Sequence, residues 1–475
     1  MRRPFSEADP MLHTDILSRK SGLFALHGVG LLVVVVLIGF RILAAPSVME
    51  PDSGRYITMG LNFAEHGTLT NQNFSPDKAP PPSMAEGGPL TAFEIGLAAK
   101  LHAPTRQTLI CMITVGYPGT NCNGSLAGLK WLYGIELAVF LFALYRIALM
   151  VFAQDVIRAW LAVLAALACK EAWQYSRHIL SEPLFLAMAG LFLWAWLAAW
   201  QRPQRAIGWL LAGLLLGLTV LVKPSWLALG PVVLGLMLVF AWHRLSPYKL
   251  LLAVMAFGLG FAVPTGLLLL RNYIQLGEWT MSDPHYLIGS LSHRAGFNLM
   301  TWRVWLMGWI YYLPGFGDDL GAWLFGRDAV WRLGWDAGGY YDDARAILHV
   351  QMRALSTADA QQHLLNEYYL SDPLKNIAVT ALLAMRGLFV GGKWGLFGLM
   401  AIIPLLLWLL PRGEQRRLWW LLLLPALAMV GINAQLSVSI VRYNLALIPA
   451  FAIALSAVVY ALGVFAAKAI RRDRM

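Results

Sequence analysis

The stretch LFLAMAGLFLWAWLAAW, Leu184 to Trp200, runs for seventeen residues without a charge. A helix of about 20 apolar residues crosses the hydrocarbon core of a bilayer, with a usual range of about 17–25. Glu182 and Pro183 stand on one side of this run, and Gln201-Arg202 on the other. It reads as one membrane crossing with sharp ends. Similar runs recur at about 23–44, 127–152, 206–222, 225–242, 250–270, 394–411, 418–436 and 443–467. A tenth, at about 159–176, begins apolar and then carries Lys170 and Glu171. The first span exceeds the roughly 7–15 residues of a signal-peptide core and is expected to stay as an anchor.

Composition agrees. Of 475 residues 58% are hydrophobic and only 13% charged, where soluble domains carry roughly a quarter. That excludes an ordinary soluble domain and intrinsic disorder. Three cysteines exclude a disulfide scaffold or a zinc-ribbon array. The 37 Lys+Arg against 26 Asp+Glu give a net charge of +11, which basic cytoplasmic loops explain more simply than nucleic acid. Arg2, Arg3, Arg19, Lys20, Arg158, Arg202, Arg205, Arg244, Lys249, Arg412, Arg416, Arg417, Lys468, Arg471, Arg472 and Arg474 fall in alternate connections. Both termini are therefore expected in the cytoplasm, with an even number of spans. The predicted fold is all-α: a single polytopic integral membrane domain over 1–475, with about 10 to 12 transmembrane helices.

Two long segments, 45–125 and 271–393, are then expected to face outward as periplasmic loops. Tyr56, Met59, Gly60 and Phe63 have i, i+3, i+4, i+7 spacing, as do Leu90, Phe93, Leu97 and Leu101 after a proline-rich turn. Both predict helices lying on the membrane surface. The tryptophan-rich stretch at 299–313 reads as a partial crossing or an interfacial helix, and Ser371-Asp372-Pro373 as a helix start. Cys111 and Cys122 share the first outer loop and are free to pair there.

The residues that could carry chemistry stand at the outer ends of spans. Asp52 follows the first span, where it either caps a helix or serves as a general base at head-group height. Glu182 either favours a helix start by its charge or is a functional acid at the membrane edge. His178 and Glu182 have the spacing of a metal pair, but two ligands do not make a site, so His178 is expected to snorkel or to be hydrogen-bonded. Lys223, Arg271 and Arg442 are cations where the positive-inside rule does not want them. Each could snorkel, or together they could bind a phosphate. Asp318-Asp319 and Asp342-Asp343 read as solvated helix caps, and the sequons at Asn73 and Asn123 as chance matches.

Asp52-Ser53-Gly54-Arg55-Tyr56 resembles the Asp-x-x-Arg-Tyr signature of the bacterial lipid A aminoarabinose transferases. These group with the protein O-mannosyltransferases (glycosyltransferase families 39 and 83) among the GT-C glycosyltransferases. Leu180-Ser181-Glu182-Pro183 resembles their second acidic motif, and Leu221-Val222-Lys223-Pro224 and Arg442-Tyr443 are similar to later basic motifs. The resemblance covers most of the chain in hydropathy layout but only short motifs in sequence. It implies GT-C architecture and a sugar donor linked to polyprenyl phosphate. It further implies transfer to a lipid, glycan or protein hydroxyl or phosphate acceptor outside the bacterial inner membrane, with inversion. Asp52 and Glu182 would be catalytic; Arg55 and Tyr56 would shape the site; Lys223, Arg271, Arg442 and Tyr443 would bind substrate. Neither a metal nor another cofactor is expected. Where the aminoarabinose enzymes carry a Lys-Pro-Pro-like element, this chain has Glu86-Gly87-Gly88-Pro89-Leu90, which points to a relative using another sugar. The alternative is a transporter or flippase of a lipid-linked saccharide, which calls for charges near mid-span, where most of these spans are clean.

Overall fold

The computed structural model describes residues 27–85, 87–115, 122, 124–242, 244–334, 338–347, 355–411 and 413–472. Arg2, Arg3, Arg19, Lys20, Glu86, Asn123, Arg412 and Arg474, all named above, lie outside them. The described chain is all-α apart from one isolated parallel bridge between Val48 and His178. The helices are α1 (His27–Leu43), α2 (Ser53–His66), α3 (Pro89–Leu101), α4 (Ala103–Thr114), α5 (Ala127–Val151), α6 (Val156–Ala168) and α7 (Glu182–Gln201). There follow α8 (Ala206–Val222), α9 (Pro224–Ala241), α10 (Pro247–Leu276) and α11 (Pro284–Asn298). After a run of short helices come α12 (Pro373–Leu388), α13 (Lys393–Leu409), α14 (Glu414–Leu436) and α15 (Leu445–Arg472).

All ten apolar segments are helical. Six of them, α5, α7, α9, α10, α14 and α15, are long and apolar enough to cross a membrane. The seventh span counts α12 and α13 together, bent by 98° at Gly391 and Gly392, both with positive φ that a side chain would resist. α1, α6 and α8 are shorter apolar helices. The segment read over 159–176 breaks at Cys169, whose backbone is extended, and resumes as a short helix, Lys170–Gln174, just where charge begins.

Packing follows side-chain size. Trp196, Trp200 and Trp209 are fully buried and meet edge to face, fixing α7 against α8; Trp196 Nε1 donates to Leu421 O of α14 at 2.9 Å. α8 and α10 approach through glycine. A Cβ on Gly213 would fall 2.0 Å from Phe257 O, and one on Gly260 2.1 Å from Leu210 O. Small residues at such crossings let backbones meet in a medium that gives helices no hydrophobic drive to associate. The outward face of α10 (Leu251, Met255, Leu259, Leu267) is exposed and apolar, as a lipid-facing surface is.

α2 buries Tyr56, Met59 and Gly60 as its periodicity predicts. On α3 the predicted stripe faces the other way: Phe93, Leu97 and Leu101 are exposed, while Ala92, Ile95, Ala98 and Ala99 are buried. Small side chains win the inner face because Gly96 and Gly60 bring α2 and α3 close, a Cβ on Gly96 reaching 2.6 Å from Gly60 O. The larger residues are left for the membrane surface. Cys111 and Cys122 are joined in a disulfide. In the second long segment a ten-residue helix, Trp302–Tyr311, covers the tryptophan-rich stretch and is too short to cross. Asp372 caps α12, accepting from Lys375 N at 3.0 Å ahead of Pro373. The Asp318-Asp319 and Asp342-Asp343 pairs stand in first helical turns. Arg294, fully buried, donates to Ala434 O, Asn298 Oδ1, Asn376 and Thr380, tying α11 to α12 and α14.

Candidate active site

Asp52 occupies the N-cap position of α2 but makes no side-chain cap bond. Its neighbour Ser53 takes the local role, Oγ accepting from Glu50 N at 2.8 Å. The Asp52 carboxylate is left free to point away. Oδ2 receives Arg442 at 2.7 Å, and Oδ1 faces Arg55 at 3.4 Å.

Glu182 opens α7 with Pro183 behind it and likewise makes no cap bond. It is 2% exposed. Oε1 accepts from Lys223 Nζ at 3.0 Å, and Oε2 has no hydrogen-bond partner among the described residues. Lys223 ends α8 in extended conformation, which the following Pro224 enforces. That turn swings the ammonium inward, where it also donates to Arg442 O at 3.1 Å between the rings of Phe185 and Tyr443.

Arg442 lies on a short 3₁₀ turn, Val441–Tyr443, between α14 and α15. Asn433 Nδ2 donates to Tyr443 O at 3.1 Å and to Asn444 Oδ1 at 3.0 Å; Asn444 in turn donates to Ser439 Oγ at 3.1 Å. This network holds Ser439 at φ +44°, a conformation rare for a residue with a side chain. Burial works against the Arg442 charge, but Glu182, Tyr443 and Asp52 outweigh it and raise its pKa. Burial raises Tyr56 as well, so its hydroxyl, 3.4 Å from Ser181 Oγ, stays a neutral donor.

These side chains line one cavity of about 460 Å³, shared by Asp52, Arg55, Tyr56, Glu182, Lys223, Arg442 and Tyr443. Three cations face two carboxylates there, leaving one positive charge for an anion. Leu227, Ala228, Pro231 and Leu287 continue the wall as an apolar surface, suited to an amphipathic ligand.

Arg271 and His178 both lie outside the cavity lining. Arg271 is not part of the cavity: α10 runs on past it to Leu276, and its guanidinium donates to Leu69 O, Ser83 O and Asn272 Oδ1. Loop carbonyls inside the protein need donors, and Arg271 supplies them to the segment between α2 and α3. His178 does not pair with Glu182; its Nδ1 meets Glu50 Oε1 at 2.7 Å, while the Val48–His178 bridge ties the strand-like segment after α1 to the turn before α7. Among the described residues no group of three or more His, Cys, Asp or Glu could hold a metal ion. Sequence reasoning missed Ser181, Asn433 and Ser437, which also line the cavity and carry no signal of their own.

Fold and site together define an all-helical, multi-pass membrane protein with a charged cavity where its spans meet a long loop. No protein-family model matches the chain, and no curated protein matches it. Among solved structures it is similar to the Archaeoglobus fulgidus oligosaccharyltransferase in the apo form, at TM-score 0.48 and 14% identity, over 93% of this chain and 51% of that one. The chain thus spans about half the length of that neighbour. It is also similar to ArnT from Cupriavidus metallidurans bound to undecaprenyl phosphate, at TM-score 0.36 and 16% identity, over 90% of this chain and 76% of that one. The apo state of the same protein gives TM-score 0.36 and 14% identity, over 92% and 77%.

Proposed function

We propose that the chain is a membrane glycosyltransferase. It moves a sugar from a polyprenyl-phosphate donor to a hydroxyl or phosphate of a lipid, glycan or protein acceptor, on the outer face of the bacterial cytoplasmic membrane, with both termini in the cytoplasm. The observation that carries this reading is the joining of Asp52, Glu182, Arg55, Lys223 and Arg442 in one cavity with an apolar wall. The Cys111–Cys122 disulfide supports an oxidising compartment for the first loop.

The chemistry follows from charge. Both carboxylates are engaged by cations. A donor phosphate competes for Arg442, Arg55 and Lys223, which frees Asp52. The acceptor oxygen attacks the anomeric carbon from the side opposite the phosphate, the carbon–oxygen bond to phosphate breaks, and configuration inverts. The acceptor proton passes to Asp52, a step worth about 10²–10⁴-fold. The cations neutralise the departing polyprenyl phosphate, as fixed charges aimed at a developing anion do. Glu182 Oε2, buried and unpartnered, is open to a sugar or acceptor hydroxyl.

The test is reconstitution in vesicles with a labelled polyprenyl-phosphate sugar and cell-envelope extract as acceptor source. The proposal expects polyprenyl phosphate and a new glycosidic bond. Movement of intact donor across the bilayer with no new bond would instead make the chain a flippase.

A further inference from the structure

Two carboxyl groups that the cavity does not use are buried beside it. Glu94 on α3 and Glu136 on α5 are each 8% exposed, on helices that pack together. The two carboxyl groups lie within hydrogen-bonding reach of each other. Both oxygens of Glu94 and Oε2 of Glu136 find no donor among the described residues. No lysine, arginine or histidine among the described residues acts on either group. Like charges in such a place do not both ionise.

The surroundings are built for one remaining charge. Tyr133 precedes Glu136 by three residues on α5, and Thr91 precedes Glu94 by three on α3, so each hydroxyl shares a helix face with its carboxyl. Tyr133 is 2% exposed and Thr91 0%, and neither hydroxyl has a partner among the described residues. Tyr133 lies in the field of both carboxylates. Hard metal ions take six or more oxygens or keep their waters; the two carboxyls and two hydroxyls offered here suit a proton better.

We propose that Glu94 and Glu136 hold one shared proton between them, and that this site pins α3 on α5. Glu94 and Glu136 are positioning residues. Just before α3 the chain passes Gly87 and Gly88, and a Cβ on Gly88 would fall 1.9 Å from Val222 O, beside Lys223. The seat of α3 therefore sets one wall of the cavity.

Burial pushes Glu94 up to about 7, against the opposing pull of its hydrogen bond with Glu136. Glu182, at the start of α7, also acts on Tyr133; α2, α4 and α8, which pack on α3 too, place no charge that acts on either carboxyl. A raised carboxyl pKa means that the unfolded chain releases its proton first. Stability is then greatest below the ordinary carboxyl range, falls as pH rises towards about 7, and levels off above it.

The experiment uses the purified full-length protein in nanodiscs. Infrared spectra of the wild type are expected to show a protonated-carboxyl stretch that shifts on ¹³C-glutamate labelling, weakens between about pH 6 and about pH 8 as one proton leaves, and persists above that as the shared proton. Glu94→Gln and Glu136→Gln should each remove that pH-dependent weakening of the band, and should flatten the fall in Tm between about pH 5 and about pH 8. A wild type without a labelled-glutamate band overturns the proposal whether or not the variants fold. So does a band or a Tm slope unchanged in both variants, or a stoichiometric metal ion, by elemental analysis, that either variant loses.

Discussion

Arg442 and Asp52, 390 positions apart in sequence, meet at 2.7 Å, Nη2 to Oδ2. One comes from the turn between the last two spans and the other from the first residues of the first long loop. Neither has a local reason to be there: Asp52 forgoes its helix cap, and Arg442 sits on a turn held by a strained serine. A contact that costs local structure at both ends marks the centre of the site.

Asp52→Asn keeps the size and a hydrogen-bonding group but cannot take a proton. Transfer is expected to fall by at least about 100-fold, while expression and Tm stay near the wild type. Initial rates in vesicles matched for protein content give the number.

Lys223 and Glu182 are a largely buried pair, with side chains 11% and 3% exposed. Lys223→Met leaves Glu182 charged without its partner and is expected to cost about 3–5 kcal/mol of stability. Adding Glu182→Gln should restore most of the Tm without restoring activity. Melting curves of the two single variants and the double variant separate the structural part of the pair from the chemical part.

Arg442→Ala and Arg271→Ala should behave differently. Removing Arg442 takes a charged donor from the cavity and is expected to weaken binding of a polyprenyl phosphate by about 10–100-fold. Removing Arg271 leaves Leu69 O and Ser83 O without a donor, so its main effect should be a lowered Tm, with binding per folded molecule near normal. Binding isotherms and melting curves on both variants decide.

Gly88→Ala would place a methyl group 1.9 Å from the Val222 carbonyl, where no flexible side chain can give way. The wall beside Lys223 must move, and kcat is expected to drop by at least about 10-fold. Gly54→Ala, which meets nothing within 4 Å, should leave the rate near the wild type.

The spans were legible because bilayer thickness sets their length and lipid sets their composition, as in Leu184–Trp200. Asp52 and Glu182 were legible because charge at a span's end needs a reason. Arg271 meets the same criterion yet satisfies loop carbonyls outside the cavity, because a sequence does not show which carbonyls a guanidinium will reach. The 98° bend hides in a Gly-Gly pair of a kind that many ordinary turns carry. Glu94 and Glu136 did carry a signal: Glu136 lies within the apolar run of α5, where ionisable groups are rare and usually functional, but its partner comes from another helix that only the fold supplies.

The most direct measurement is mass spectrometry of cell-envelope glycans in a strain lacking the gene, complemented with wild type or with Asp52→Asn at equal protein level. The account predicts that one sugar substituent disappears on deletion, returns with the wild type, and stays absent with Asp52→Asn. An envelope unchanged by deletion, or fully restored by Asp52→Asn, would contradict it.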